Sequence, residues 1–586
     1  MASQPWEARA AAKRADTLNK ICLQWRLSAE DVKRASEQRN LTGPFIQGFL
    51  SQQEISIVSM DSVPIVKEIK EGQLTSVQVT TAFCKAAAIA HQINNCLHEI
   101  FFDEALKRAK ELDEHYRKHG TTLGPLHGLP VSLKDQFHVK DVDTTTGYVG
   151  WIGGNMGIKD PCQAHKVESQ MTRELLSLGA VLYCKTSCPQ TLFHVETINH
   201  IIGQTLNPNN QNLSCGGSSG GEGALIALRG STLGVGTDIG GSIRIPAAFN
   251  GVFGLKPTPG RLSSRGMAET NPGQTTYRAT TGFLSTSLDG IELLLKSVLS
   301  TQPWIQDPVV IPMPFRQEIF DENLRRAQPS GTACSGRLPL KLGIMWTDGL
   351  VQPHPPISRG LRMVADALEK AGHKVVNWDP PSHVTAKDIH LSIIMSDGTA
   401  DIHKHLEPSG EPLIHELASR GMRLRPPIGL LDFQDLTLRG LDFEAKYSDY
   451  WNSTIDKDGQ VVDAFIMPAA PHAAVIPGTF SHIAYTESLN LLNYSVAVIP
   501  VTKADKSLDP IDTNYKPRGK ADRSNWEAYD PDVYDGAPVG LQIVARRFEE
   551  EKVLAVAKII HRALKQVQSG LALGGSQSDA DIPSRL

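Results

Sequence analysis

SCGGSSGGEGALIA at residues 214–227 and GVGTDIGGSIRIPAA at residues 234–248 are the two stretches that decide how this chain folds. Successive glycines let a backbone fold tightly against a neighbouring group. The second stretch places two glycines directly before Ser242, and adjacent glycine N–H groups can point at one spot and form an oxyanion hole. Ser218 in the first stretch and Ser242 in the second therefore mark a candidate catalytic region.

Three other interpretations of these stretches have to be weighed. A flexible Gly/Ser linker is one, but apolar, helix-compatible residues follow at once at 224–227. A phosphate-binding loop is another, but neither G-x-G-x-x-G nor G-x-x-x-x-G-K-[ST] fits residues 234–248. The third is the nucleophile elbow of an α/β-hydrolase, because residues 216–220 match G-x-S-x-G.

The elbow interpretation makes two demands on the surrounding sequence. It needs a buried strand directly before the serine, where this chain has the polar run NPNNQN at residues 207–212. It also needs a catalytic histidine downstream, for which His354, His373 and His472 are the candidates. The first of these demands is not met, and this disfavours the elbow interpretation.

Upstream, a lysine ends an apolar segment in GLPVSLKD at residues 128–135. A snorkelling surface lysine is the ordinary interpretation of such a position. The functional alternative holds Lys134 in a site of low dielectric constant, where burial disfavours the ammonium form and lowers the pKa. A lysine of that kind is a usable base near neutral pH.

Taken together and in this order, the segments resemble the amidase signature family. The resemblance is carried by GLPVSLKDQ at 128–136, GGSSGGEGALIA at 216–227 and GVGTDIGGSIRIPAAFNGVFGLKPTPGR at 234–261, with the 24-residue spacing from Ser218 to Ser242. APVGLQIVARRFEEEKVLAVA at 537–557 looks like the family's closing strand and helix. The similarity runs from about residue 5 to 567 and is greatest to the fungal acetamidase-type general amidases.

The family resemblance implies a fold and a set of site residues. The expected fold is α/β, with a mixed central β-sheet covered by helices on both faces. Ser242 is the expected nucleophile, Ser218 the relay and Lys134 the neutral base, with a cis peptide bond between Gly217 and Ser218. The backbone N–H groups expected to hold the oxyanion are those of Ile239, Gly240, Gly241 and Ser242, and the expected supporting residues are Ser219, Asp238 and Arg244.

The resemblance also implies an activity, hydrolysis of a carboxamide to a carboxylate and ammonia or an amine through an acyl-enzyme. The expected substrate is a small aliphatic or aromatic amide, or the amide of a specialised metabolite, and no cofactor or metal is expected. Tyr148 and Trp151 either border the acyl pocket or are ordinary core aromatics. Two rival functions remain, a subunit of an amidotransferase complex and a degenerate binding protein; the second is disfavoured because all three triad positions are filled.

Alternating helix and strand patterns organise the chain. We predict a helical arm at residues 1–60, a catalytic domain at 61–570 with a surface insertion near 503–533, and a flexible tail at 571–586. A capping box at Thr75 opens a predicted helix to about Gln92. Further predicted elements are helices at 102–118, 169–178 and 548–565 and strands at 129–139, 180–183, 342–346, 374–378, 464–467, 496–501 and 539–544.

Composition excludes several classes of function. The chain has 586 residues, a formal net charge of −4 and no basic stripe, so nucleic acid is not an expected partner. Its eight cysteines are scattered, and Cys184 and Cys188 lack the second pair of a zinc site.

Neither a signal peptide nor an apolar run of spanning length occurs, which predicts a cytoplasmic protein; Ser584-Arg585-Leu586 is an alternative peroxisomal address. A homodimer stays open.

Overall fold

The computed structural model describes residues 5–153, 165–327 and 338–570. The predicted tail, with its terminal tripeptide, lies outside these described residues. Across the three described ranges, no helix is both long and apolar enough to cross a bilayer.

Helices make up most of the secondary structure. In chain order they are α1 Trp6–Asn19, α2 Ala29–Ser36, α3 Pro44–Gln47, α4 Gln52–Val58, α5 Ser62–Lys70, α6 Ser76–Asn94, α7 Phe102–His119, α8 Gln170–Ser177, α9 Gly220–Ala227, α10 Arg244–Asn250, α11 Leu288–Ser300, α12 Gln317–Arg325, α13 Pro355–Lys370, α14 His383–Ile394, α15 Ala400–Leu406, α16 His415–Ser419, α17 Leu430–Ser453, α18 Ala484–Leu491, α19 Lys520–Glu527, α20 Pro531–Tyr534 and α21 Glu550–Gln568. Short 3₁₀ turns lie at Leu23–Trp25, Val149–Trp151 and Pro303–Ile305.

One large sheet forms the centre of the protein. The strands are β1 Leu97–Ile100, β2 Pro130–Lys134, β3 Val181–Thr186, β4 Ile198–Asn199, β5 Gly203–Gln204, β6 Leu233–Asp238, β7 Phe253–Lys256, β8 Thr280–Ser285, β9 Lys341–Ile344, β10 Lys374–Asn377, β11 Ala464–Pro468, β12 Ser495–Lys503 and β13 Pro538–Ala545. Eleven of them follow the order β1-β3-β2-β6-β8-β7-β12-β13-β11-β9-β10, and β4 pairs with β5 apart from them.

The sheet is mixed, as the sequence predicts. Strand β2 runs parallel to both β3 and β6, and β9 runs parallel to both β10 and β11. The strands from β6 through β8, β7, β12 and β13 to β11 pair antiparallel, and so do β1 and β3. Because β2 and β6 are parallel neighbours, their carboxyl ends lie side by side, and Lys134 and Asp238 end them.

Helices cover both faces of this sheet. Successive residues of a strand point to opposite faces, and two consecutive residues of β13 show what lies on each side. The side chain of Val539 faces Gly360 of α13, and Gly540 faces Ala248 of α10 so closely that an added Cβ would lie 2.5 Å from its Cα. Strand β13 is buried over its whole length. Its near-continuous apolar sequence, PVGLQIVA, is typical of a strand covered on both faces.

Most of the predicted elements form where the sequence places them. Helix α6 begins after Thr75, whose side chain accepts from the Gln78 N–H in the predicted capping box. The predicted helices at 102–118, 169–178 and 548–565 correspond to α7, α8 and α21, and the predicted strands to β2, β3 and β9–β13. The glycine-rich stretch, for which no regular period is visible, contains α9, β6, α10 and β7.

The predicted N-terminal arm consists of α1 to α4. Helix α1 is fastened by a buried lysine, because Lys13 Nζ lies 2.6 Å from Glu99 and 2.8 Å from Asp143. These carboxylates raise the pKa of the Lys13 ammonium despite the opposing effect of burial. The predicted insertion at 503–533 contains α19 and the start of α20. The domain limits themselves stay predictions.

Candidate active site

Lys134 ends β2 in the interior of the protein, fully buried. Its ammonium Nζ lies 2.7 Å from Ser218 Oγ and 2.9 Å from Thr237 Oγ1. Thr237 belongs to the parallel neighbour β6, and its hydroxyl donates to Gln136 Oε1 at 2.7 Å. Because that hydroxyl hydrogen is used, Thr237 can only accept from the lysine, and this orients the amine with its remaining side toward Ser218.

Burial changes the protonation of this lysine. Loss of solvation lowers the pKa of Lys134 to about 8, although nearby Cys188, Asp238 and Glu222 oppose the shift. The surface interpretation of Lys134 is wrong, and burial lowers its pKa in the direction expected from the sequence. A substantial fraction of the amine is uncharged in weakly alkaline solution.

The two serine-containing loops are joined through Ser219. The peptide bond between Gly217 and Ser218 is cis, which confirms that expectation. Ser219 follows as the residue before α9; its N–H donates to the Ser242 carbonyl at 3.0 Å, and its Oγ donates to the Thr237 carbonyl at 3.3 Å. Ser219 thereby holds the loop of Ser218 against the loop of Ser242 and against β6.

Asp238 organises the loop that carries Ser242. Its carboxylate accepts from the N–H groups of Gly241 and Ile243 at 2.9 and 3.0 Å. It also accepts from Arg244 Nε at 3.0 Å and Nη2 at 2.9 Å. Burial alone would raise the pKa of Asp238, but the Arg244 guanidinium holds it well below its usual range. This sequence-predicted pair is therefore an ion pair that shapes the loop.

Arg244 connects the loop to distant parts of the chain. Its Nη1 donates to the Thr486 carbonyl at 2.9 Å and to Gln542 Oε1 at 3.1 Å. Its Nη2 also donates to Asn490 Oδ1 at 2.6 Å. Each nitrogen of this buried guanidinium therefore donates to an acceptor in β6, α18 or β13.

The backbone conformation at position 241, directly before Ser242, requires a glycine. Gly241 has a φ of +131°, a conformation that L side chains rarely adopt. An added Cβ would lie 2.5 Å from Thr486 Oγ1 and 2.7 Å from Ile245 Cδ1. Thr486 also donates its hydroxyl to the Gly240 carbonyl at 2.7 Å. Helix α18 thus packs directly on this loop and fixes where its N–H groups point.

Loss of the Asp238 charge is expected to destabilise the whole protein. In Asp238→Asn the buried Arg244 loses its counter-charge, which typically lowers the free energy of unfolding by about 3–5 kcal/mol. Urea unfolding followed by circular dichroism measures this loss. The matched control is Asp442→Asn, which breaks the exposed 2.6 Å pair with Lys446; exposed pairs of this kind contribute no more than about 1 kcal/mol. Equal unfolding midpoints for the two variants would contradict the assignment.

Ser218 and Ser242 share one cavity of about 420 Å³. Thr237, Ile239 and Gln136 also line it, so the lysine's partners and the predicted oxyanion loop face the same space. Ligand pockets usually measure about 300–1,000 Å³. The cavity is large enough for a medium-sized organic molecule, not only for acetamide.

Tyr148 and Trp151 lie in the core. Both side chains are buried, with ring centroids 5.0 Å apart, and neither belongs to the residues described as lining the cavity. Trp151 Nε1 donates to His405 Nδ1 at 3.2 Å. Of the two interpretations of this pair, the core one fits the structure.

Three further residues reach the site without having been predicted. Gln136 lies two residues after Lys134, and Thr237 directly precedes Asp238. This closeness in sequence to predicted residues is a signal by which they could have been predicted. Glu222 is buried and accepts from Ser132 Oγ at 2.6 Å and Thr186 Oγ1 at 2.9 Å. Burial raises the pKa of the Glu222 carboxyl to about 7.

One group of residues behind Lys134 has the composition of a metal site. His98, Asp135 and Cys188 each bring a ligand atom within 4.8 Å of the others. Asp135, however, already pairs with Lys185 Nζ at 2.8 Å, and the Lys185 ammonium holds the pKa of that carboxyl below its usual range against the effect of burial. A cation would have to share this space with the ammonium. The donor set fits an ion pair better than a metal.

The α/β-hydrolase interpretation does not fit the structure. In the described range 165–327, the strand that precedes Ser218 most closely is β5, which ends at Gln204, fourteen residues before the serine. The candidate histidines do not line the cavity. His354, for example, is buried with its Nε2 2.7 Å from the Asn525 carbonyl.

Comparison with known proteins gives consistent matches over almost the whole chain. The Amidase family model matches residues 78–554. The acetamidases of Emericella nidulans and Aspergillus oryzae are each 41% identical over 564 residues, covering 96% of this chain and 99% and 100% of those proteins. Among solved structures, a fatty acid amide hydrolase is 33% identical with a TM-score of 0.86, covering 97% of this chain and 96% of that one.

These matches confirm the resemblance found in the sequence. The chain belongs to the amidase signature family and has its α/β fold. It is an amidase, a hydrolase that acts on amide C–N bonds, with acetamidases among its relatives.

Proposed function

We propose that this amidase cleaves a carboxamide through an acyl-enzyme formed on Ser242, with Ser218 and Lys134 as the proton relay. The observation that carries the proposal is the 2.7 Å contact between Lys134 Nζ and Ser218 Oγ beside the cavity that Ser242 lines. An uncharged amine at this distance from a hydroxyl can accept its proton directly. The lowered pKa of Lys134 makes the uncharged form available.

The reaction then proceeds in two halves. Lys134 takes the proton of Ser218, which takes that of Ser242 as the Ser242 oxygen attacks the amide carbon. Ser218 passes a proton to the leaving nitrogen, which departs as ammonia or an amine, and regains a proton from the Lys134 ammonium. Water attacks the acyl-enzyme and releases the carboxylate. No histidine is needed for any of these steps.

Backbone N–H groups of the Ser242 loop would hold the oxyanion that forms on the amide oxygen. The predicted donors are those of residues 239–242, and the Gly241 N–H already donates to Asp238 at 2.9 Å. We therefore assign the oxyanion chiefly to the N–H groups of Ile239, Gly240 and Ser242, with Gly241 holding the loop. A single donor of this type typically contributes about 2.7–4 kcal/mol to transition-state stabilisation.

Small and medium-sized primary amides are the proposed substrates, since two relatives are named acetamidases and the cavity measures about 420 Å³. We expect the purified chain alone to release ammonia from amides, with kcat/KM rising from acetamide to larger acyl groups as more apolar surface is buried. An ammonia-release screen over acyl groups of increasing size measures this. Activity only in the presence of added partner subunits would instead identify an amidotransferase subunit.

For the cellular location, the proposal is the cytoplasm, with Ser584-Arg585-Leu586 as an alternative peroxisomal address. An N-terminal fluorescent fusion with and without the last three residues separates the two. A homodimer remains a proposal that sedimentation of the purified chain would test.

A further inference from the structure

One carboxylate in the cavity wall makes no hydrogen bond or ion pair with the residues that the structure describes. Glu269 lines the same cavity as Ser218 and Ser242. Among the residues that the structure describes, its side chain has neither a hydrogen bond nor an ion pair, and the only charge that acts on it appreciably is that of Arg278. The exposed Arg278 directs its Nε to the Thr275 carbonyl at 3.4 Å.

Three other polar side chains of this cavity have hydrogen-bond partners. Asp307 accepts from Ser263 Oγ at 2.7 Å and from the Val309 N–H at 3.0 Å. Gln136 accepts from Thr237, and Gln274 accepts from the Thr276 N–H at 2.8 Å. Glu269 is half-buried and has no such partner among the described residues, which distinguishes it from these neighbours.

The electrostatic surroundings of Glu269 also favour the binding of a cation. Burial raises the pKa of its carboxyl to about 7, and Arg278 opposes that shift only in part. A cation that enters the cavity would replace the lost solvation and favour the ionised form. Charge-assisted hydrogen bonds are the strong ones in such a partly buried setting.

We propose that Glu269 is a specificity-determining residue that binds a cationic group, such as an ammonium, on the acyl part of the amide substrate. This inference rests on the proposed function and names its substrate class as carboxamides whose acyl chain ends in an amine. The amide carbon would lie at Ser242 while the amine reaches Glu269 in the wall of the same cavity. The chain length that spans the two positions is found by experiment.

Two matched substrates test the proposal. In 5-aminopentanamide an ammonium replaces the terminal methyl of hexanamide, and homologues with shorter and longer chains complete the series. At about pH 8.5 Glu269 is ionised while an alkyl ammonium keeps its proton. We expect the wild-type enzyme to prefer the cationic member of at least one pair by about tenfold or more in kcat/KM.

Substitutions of Glu269 and of the neighbouring Arg278 test the proposal further. Glu269→Gln should lower the cation-to-neutral ratio of kcat/KM by about tenfold or more and change hexanamide turnover little. Arg278→Gln should raise the ratio, because a competing positive charge is removed. The control is Asp307→Asn, the cavity acid with both oxygens already bonded, which should leave the ratio unchanged. Because each ratio is internal to one protein, a change in the folded fraction cancels.

The proposal is overturned if the wild-type ratio stays at or below one at every chain length. It is equally overturned if Glu269→Gln and Arg278→Gln leave the ratio where the wild type has it. Failure of the proposed catalytic mechanism looks different, because both members of every pair would then be hydrolysed as well by Ser242→Ala as by the wild type.

Discussion

Replacing Ser242 by alanine is expected to lower kcat for every amide by about 10⁶-fold, the size of loss found when the serine nucleophile of another hydrolase is removed. The substitution deletes only the hydroxyl that would form the acyl-enzyme. The backbone bond from the Ser219 N–H to the Ser242 carbonyl stays, so the fold should survive. Ammonia release under saturating substrate measures the loss, and circular dichroism verifies the fold.

A second serine of the cavity serves as the control for Ser242. Ser264 lines the same cavity, but the described partner of its Oγ is another hydroxyl, Thr281 Oγ1 at 3.1 Å, which is not a base near neutral pH. Ser264→Ala should therefore keep kcat within a few-fold of wild type. An electrophilic serine probe followed by peptide mass mapping should label residue 242. Labelling of any other serine would refute the proposed nucleophile.

Removing the buried amine is the other change with a large expected effect. Lys134→Ala should lower kcat by about 10²- to 10⁴-fold, since a positioned general base contributes rate enhancements of that order. The wild-type kcat/KM should rise with pH through about 8, because the lysine is protonated and inactive as a base below its pKa of about 8. In Lys134→Ala this rise should disappear.

Lys256 is the control for that pH profile. It is also fully buried, and burial lowers its pKa to about 7, with the Arg244 charge adding to the shift. Its Nζ donates to the Tyr494 carbonyl at 2.8 Å and does not line the cavity. Lys256→Met should keep the rise in kcat/KM near pH 8. If Lys134→Ala hydrolysed amides at the wild-type rate across neutral pH, the relay would be wrong.

Strand β6, which carries Thr237 and Asp238, could not be found from sequence periodicity, although β2 with Lys134 could. Strand β6, LGVGTD, lies between β2 and β8 in the sheet and has glycine at positions 234 and 236. A Cβ at Gly234 would overlap the Glu222 carboxylate, and one at Gly236 would lie 2.8 Å from Ser219 Oγ. Alternation of side chains cannot be recognised in a strand whose close packing against the Ser218 loop leaves no room for them.

The serines and the lysine were predictable because they lie in contiguous segments with a family pattern. The residues that hold the loop in shape were not, because Thr486, Asn490 and Gln542 reach Arg244 across 242, 246 and 298 positions of the chain. Neither spacing nor composition marks a threonine carbonyl or an amide as a partner of an arginine so far away. Glu269 was not predicted for a related reason, because a carboxylate can be recognised as unpaired only when its surroundings are known.

The long reach of Arg244 has a consequence for biosynthesis. Ribosomes deliver the N-terminal part first, so Lys134, Ser218 and Ser242 all emerge long before β13. That strand inserts between β11 and β12 and brings Gln542 to the guanidinium. A nascent polypeptide halted before residue 537 therefore contains every proposed reacting group yet lacks a central strand of its sheet. Translation must therefore pass residue 545, the end of β13, before the enzyme can acquire activity.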